Sequence, residues 1–135
     1  MSASFIDSNI LVYLAADDPA KAEKAKAVVG AGGVISVQVL NEFANVARRK
    51  LQLSWGETRG VLGALQELLT VHSLTVETHR TGLALAERYG FSVYDAMIVA
   101  SALHADCATL LSEDMQDGLL LGERLCIVNP FRDVK

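Results

Sequence analysis

Residues 92–103 read SVYDAMIVASAL, and this stretch decides how the chain folds. Met97, Ile98, Val99, Ala100, Ala102 and Leu103 leave a helix here with almost no polar face. Such a helix belongs inside a core. It nevertheless carries an acid, Asp95, in its first turn. A buried carboxylate is costly unless something pairs with it. A local explanation exists: Ser92 can cap the helix with Asp95 as the acidic half of a capping box, and an acid there also complements the helix dipole. A functional explanation requires other acids to converge on the same place.

Working outward, short apolar strands alternate with helices. Ala3 to Ile6 reads as a strand ending at Asp7, and Ser8 or Asn9 opens a helix over Asn9–Ala16. Asp18-Pro19 starts a helix reaching Val29, since an N-cap followed by proline suits a first turn. Val34-Ile35 is a second strand, and Ser36 caps a helix from Val37 to about Lys50. Ser54 to Glu57 forms a capping box for a helix to about Leu69. Val71 to Leu74 reads as a strand, and a helix from about Glu77 stops at Gly90. Ala108 to Leu111 and Leu125 to Val128 are the last strands, joined by the loop Ser112 to Gly118. Short strands apolar on both faces, alternating with helices, predict an α/β fold with a mostly parallel central sheet covered on both sides. The run Gly118-Leu119-Leu120-Leu121-Gly122 has no account at this level.

A chain of 135 residues is expected to form one domain over 1–135. With 12 basic and 16 acidic residues its net charge is −4, which excludes a global attraction for nucleic acid. Any such binding must be local. Cys107 and Cys126 lack metal-ligand spacing and read as free thiols, which suits a reducing compartment. No signal peptide is visible, and the apolar run Ile10 to Ala16 is too short for a membrane span. A soluble cytoplasmic protein is the expectation.

Four acids fall at corresponding places. Asp7 follows the first strand, Glu42 lies in the second turn of the helix after the second strand, Asp95 opens the apolar helix, and Asp114 follows the strand ending at Leu111. In a parallel sheet, ligands sit at the carboxyl ends of strands. Two carboxylates about 4 Å apart repel by on the order of 4 kcal/mol at an effective dielectric near 20. Four cannot share a pocket as bare anions; they must take up protons or bind a cation. Oxygen ligands without histidine or cysteine select hard ions such as Mg²⁺ or Mn²⁺. His72, His79 and His104 lie outside these segments.

The chain also resembles a known family. FIDSNILVYLA (Phe5–Ala15), VISVQVLNEFANV (Val34–Val46), YGFSVYDAMIVASAL (Tyr89–Leu103), LLSEDMQDG (Leu110–Gly118) and VNPF (Val128–Phe131) match, in order, the PIN-domain ribonucleases that are VapC-type toxins of toxin–antitoxin pairs. The resemblance implies a three-layer α/β/α PIN-like domain and metal-dependent hydrolysis of RNA phosphodiesters. It implies a catalytic metal site of Asp7, Glu42, Asp95 and Asp114, with Asp117 as an auxiliary ligand or a turn residue. Asn9 and Ser112 resemble residues that orient ligands or water, and can equally be a helix cap and a loop hydroxyl. A small antitoxin, a homodimer and an RNA substrate are the implied partners.

Independent physics agrees with hydrolysis, because an acidic pocket repels a phosphodiester unless a divalent ion reverses the local charge and acidifies a water. Arg48 and Arg49, with Lys50, are candidates for phosphate contacts, or else complement their helix dipole. Lys21, Lys24 and Lys26 are a second basic group, or a solvated face. Tyr13 and Trp55 are candidates for base stacking or core packing. Two alternatives stand: a non-catalytic PIN-fold module binding RNA or protein, and a phosphatase with Asp7 as nucleophile. The latter expects an acid two residues on, where the chain has Asn9.

Overall fold

The structure, a computed structural model, describes residues 3–134. Its elements run β1 (Ser4–Ile6), α1 (Ser8–Val12), α2 (Pro19–Gly30), β2 (Val34–Ser36), α3 (Val37–Arg49), α4 (Trp55–Leu68), β3 (Thr70–His72), α5 (Val76–Tyr89), α6 (Val93–His104), β4 (Thr109–Leu111), β5 (Leu120–Leu121) and β6 (Leu125–Val128). The strands form one six-stranded sheet in the order β3-β2-β1-β4-β6-β5. All neighbours are parallel except β5, which runs antiparallel to β6. The α/β class and the mostly parallel sheet are therefore as the sequence predicts.

The apolar helix is where its composition places it. Residues Ala96 to Ala102 of α6 are all buried. α6 packs against β2 and β4 of the sheet and against α3 and α5. Met97 lies against Gly82 of α5, where a side chain at position 82 would meet the Met97 sulfur at 2.7 Å. The glycine thus permits the close approach of the two helices. Phe5, Ile6, Ile35, Ile98, Leu110 and Ile127 fill the centre of the core. Both cysteines are free, with Cys107 buried. No helix is long and apolar enough to cross a membrane among the described residues.

Several boundaries depart from the sequence reading. α1 ends at Val12 rather than Ala16. Beyond it, the N–H groups of Tyr13, Leu14 and Ala15 donate to carbonyls three residues back, a tightened turn rather than a continued α-helix. Asp7, not Ser8 or Asn9, is its N-cap. β3 begins at Thr70, because Val34 pairs with Thr70 in register. The unexplained run Gly118 to Gly122 is an edge strand: Leu121 is buried and pairs with Leu125, with Gly118 and Gly122 in left-handed conformations at either end.

The topology creates one crevice. The chain lays down β1, β2 and β3 outward in one direction, then returns to place β4 on the other side of β1. Winding reverses between β1 and β4, where the loops leaving the strand ends diverge. Ile6 pairs with Leu111, so Asp7 and Ser112 emerge level with each other at this edge.

The entry to β2 has no room to spare. Gly33 has φ of +154°, and a Cβ there would stand 2.7 Å from the Ser4 carbonyl oxygen. Gly33→Ala should therefore destabilise the fold by about 1–3 kcal/mol. The check is a lowered urea midpoint at unchanged slope; an unchanged midpoint would contradict this close approach.

Candidate functional site

Asp7 occupies the crevice and is nearly inaccessible, with 4% of its surface exposed. Its backbone N–H donates to the Leu111 carbonyl at 2.9 Å, continuing the β1–β4 ladder. Its carboxylate is surrounded by donors. Oδ1 accepts from the Ser8 backbone N–H at 2.7 Å, and Oδ2 accepts from the Ser112 hydroxyl at 2.9 Å and the Asn9 amide at 3.3 Å. The Asn9 carbonyl oxygen accepts from the Glu113 N–H at 3.1 Å, fastening the β4 loop to α1. Asn9 and Ser112 thus orient the acid, one of the two readings open for each.

Those donors do not compensate the burial. The Asp7 pKa is pushed up from an ordinary 3.8 to about 6: loss of water raises it most, the Ser112 and Ser8 hydrogen bonds lower it, and the charges of Glu42 and Asp95 raise it. The charges of two of the other acids thus reach Asp7. Asp95 is half-buried, and burial raises its pKa too, against the Ser92 hydroxyl and together with the charge of Asp114. The Asp95 N–H donates to the Ser92 hydroxyl oxygen at 3.2 Å, the expected cap. The reciprocal bond of a full capping box is formed at Ser54–Glu57 and Thr75–Thr78 but not at this helix. Local capping therefore accounts for only part of the Asp95 environment.

Glu42 is held by two neutral groups that sequence reasoning passed over. Its Oε1 accepts from the Ser8 hydroxyl at 2.9 Å and its Oε2 from the Gln38 amide at 3.0 Å. Ser8 thus joins two acids, one through its backbone and one through its hydroxyl. The Gln38–Glu42 spacing of four residues on a helix was a readable signal; the Ser8 contact, spanning 34 residues of sequence, was not. Asp114 lies exposed in the β4 loop. Among the described residues, no three acids, histidines or cysteines already enclose a common point as an ion cage.

Other candidates fall elsewhere. Asp117 has both oxygens engaged, Oδ1 by the Asn129 N–H at 2.8 Å and Oδ2 by Arg132 at 3.2 Å. It ties its loop to the C-terminal turn. Arg48 donates to the Leu53 carbonyl at 2.7 Å and stacks on the Trp55 ring at 4.3 Å. These contacts link the end of α3 to the start of α4. Arg49 is exposed. Lys50 lines a cleft of about 270 Å³ together with Ser8, Asn9, Tyr13, Glu113 and Asp114. Lys21 is not part of a free basic face either: it pairs with Glu113 at 2.5 Å beside the Tyr13 hydroxyl, which donates to Glu113 at 2.6 Å.

Comparisons with known proteins agree with this architecture. The family described as PIN domain matches residues 4–116. Solved structures share the fold. A toxin–antitoxin complex from Klebsiella pneumoniae superposes with a TM-score of 0.71 at 21% identity, covering 95% of this chain and 98% of that one. VapC20 of Mycobacterium tuberculosis, described as a sarcin–ricin loop cleaving toxin, gives 0.67 at 16% identity over 80% and 87%. VapBC2 of Rickettsia felis, bound to a DNA fragment of its promoter, gives 0.65 at 18% identity over 92% and 96%. No curated protein sequence matches. The family match spans the strands and helices that carry Asp7, Glu42, Asp95 and Asp114, and on it the chain belongs to the PIN domain family.

Proposed function

We propose that the protein is a metal-dependent endoribonuclease whose centre is Asp7, Glu42, Asp95 and Asp114, and that it is the toxin of a toxin–antitoxin pair. The observation that carries this reading is the buried, incompletely compensated carboxylate of Asp7, on which Glu42 and Asp95 also act. The donor set fits a hard divalent ion: oxygen atoms only, with surplus negative charge in a crevice. Mg²⁺ or Mn²⁺ held by these acids would neutralise the phosphodiester, activate a water and stabilise the leaving oxygen.

The chain's own residues supply the rest. Ser112, Asn9 and Ser8 hold Asp7, and Ser8 with Gln38 holds Glu42, so both acids keep fixed orientations when substrate arrives. Lys50, beside Asp114, is the cation that meets a phosphate of the RNA strand. A carboxylate of the group takes the proton of the attacking water. The toxin reading draws on the fold likeness to toxin–antitoxin complexes, and its partner is a small antitoxin. An arginine entering the acidic crevice is a chemically sound inhibitor, since it pairs bidentately with carboxylates. A cytoplasmic location and a homodimer belong to the same reading. Asn9, standing where a phosphatase would carry its second acid, is instead a support for Asp7.

Purified protein should cleave a ribosomal RNA fragment with Mg²⁺ or Mn²⁺ and stop when chelator is added. Asp95→Asn should lose on the order of 100-fold or more of that activity, and Asn9→Ala about 10- to 100-fold, with circular dichroism unchanged. Full activity in the Asp95→Asn protein would remove Asp95 from the centre. Cleavage of a small phosphomonoester but not RNA would favour a phosphatase.

Stability should report the same site. The folded Asp7 carboxyl titrates near 6 and the unfolded one near 3.8, so the folded state holds the extra proton between these values. Its contribution to stability is fully present below about pH 4, falls as pH rises through 6, and above that the buried charge costs a few kcal/mol. Without metal, the melting temperature of the native protein should fall relative to Asp7→Asn between pH 4 and 7. Mn²⁺ should restore it, more at pH 8 than at pH 5. Parallel pH profiles of the two proteins would contradict the buried charge.

A further inference from the structure

Beside the acids lies a second cleft, of about 500 Å³, lined by Gln38, Asn41, Glu42, Asn45 and Tyr94. Its chemistry differs from the first. No cation lines it, so a phosphate finds no partner there and meets the Glu42 carboxylate instead. Asn41 and Asn45 are four residues apart on α3, so their exposed amides share one face. Across from them Tyr94 is 67% exposed, although it is directly bonded to the half-buried Asp95. Tyr94 stands in the first turn of α6, on the part of that helix left outside the core, so core packing does not account for its ring. A planar ring and two free amides, with no cation, suit a flat, uncharged group rich in hydrogen-bonding edges.

We propose that this cleft is a nucleobase subsite, in which Tyr94 stacks on one base of the RNA and Asn41 and Asn45 bond its edge, favouring bases with an exocyclic amine over uracil. This rests on the ribonuclease reading and names how that site positions its substrate. Stacking on an aromatic ring accepts any base. Selection comes from the edge. Asparagine amides pair with adenine in a bidentate manner, and carboxylates accept from the cytosine amine. Because the Gln38 amide N–H already serves Glu42, the cleft offers more acceptors than donors, and an amine donor meets that surplus. Tyr94 and Asp95 are consecutive, so a base stacked on Tyr94 sets which phosphodiester of the strand reaches the acids.

Uncharged nucleosides test the subsite apart from catalysis, because the acids do not repel them. The ¹⁵N-labelled native protein, in chelator, is titrated with adenosine, cytidine and uridine, and with ribose as a control. The side-chain amide signals of Asn41 and Asn45 should shift saturably, with adenosine and cytidine about fivefold tighter than uridine, the size of one net hydrogen bond. Tyr94→Ala should weaken binding about tenfold, Tyr94→Phe should keep it, and Asn41→Ala with Asn45→Ala should erase the preference. In the cleavage assay Tyr94→Ala should raise KM far more than it lowers kcat. RNA cleavage without nucleoside shifts at these amides, as when a peptide is the true occupant, overturns the subsite and leaves the ribonuclease. Equal binding of uridine overturns the amine preference. Saturable nucleoside binding without RNA cleavage in any divalent metal supports the base site and overturns the ribonuclease reading.

Discussion

The buried carboxylate of Asp7 is the constraint on which the rest of this structure depends. It closes the β1–β4 ladder through its backbone and caps α1 through its side chain, so it belongs at once to the sheet and to the first helix. Removing such a group from water is expensive. The molecule answers with donors gathered from two parts of the chain: Ser8 and Asn9 on α1, and Ser112 after β4. Even so, the charged form remains disfavoured, and the neighbouring acids deepen the deficit. A fold tolerates such an imbalance when the site itself uses it.

The sheet order explains why the imbalance arises here. With β1 and β4 adjacent and the winding reversed between them, the ends of both strands open onto one crevice. α6 then brings Asp95 toward it by burying its apolar length against the sheet. α3 brings Glu42 from the other side, fastened to α1 through Ser8. Two clefts of opposite character open beside these elements. One has Lys50 and Asp114 at its wall, and the other has amides and an exposed tyrosine. A nucleotide has two parts of matching character, a phosphate and a base.

Much of this was legible before any coordinates. Alternating short strands and helices specify a parallel sheet because periodicity survives in local sequence, and α6 declared itself by lacking a polar face. The caps at Asp18, Ser36, Ser54 and Ser92 were readable because capping is a contact over three residues. What escaped reading depends on partners far away in sequence. β5 is two residues long, and only its pairing with β6 makes it a strand. Ser8 looks like a helix opener until Glu42 is placed above it. Asp117 resembles its acidic neighbours, and only Asn129 and Arg132 reveal that it braces the C-terminal turn. Within the run Arg48-Arg49-Lys50, composition cannot say which cation lines the cleft beside Asp114; Trp55 claims Arg48, and Lys50, just past the end of α3, lines that cleft.

On the function proposed above, Asp7 and its acidic neighbours form one centre that a single class of cation neutralises. Crystals grown with Mn²⁺ and measured at the manganese absorption edge test it most directly. An anomalous peak coordinated by Asp7 together with Asp95, Glu42 or Asp114 is the predicted result. Manganese bound only elsewhere, with the Asp7 carboxylate still served by Ser8, Asn9 and Ser112 alone, would contradict it.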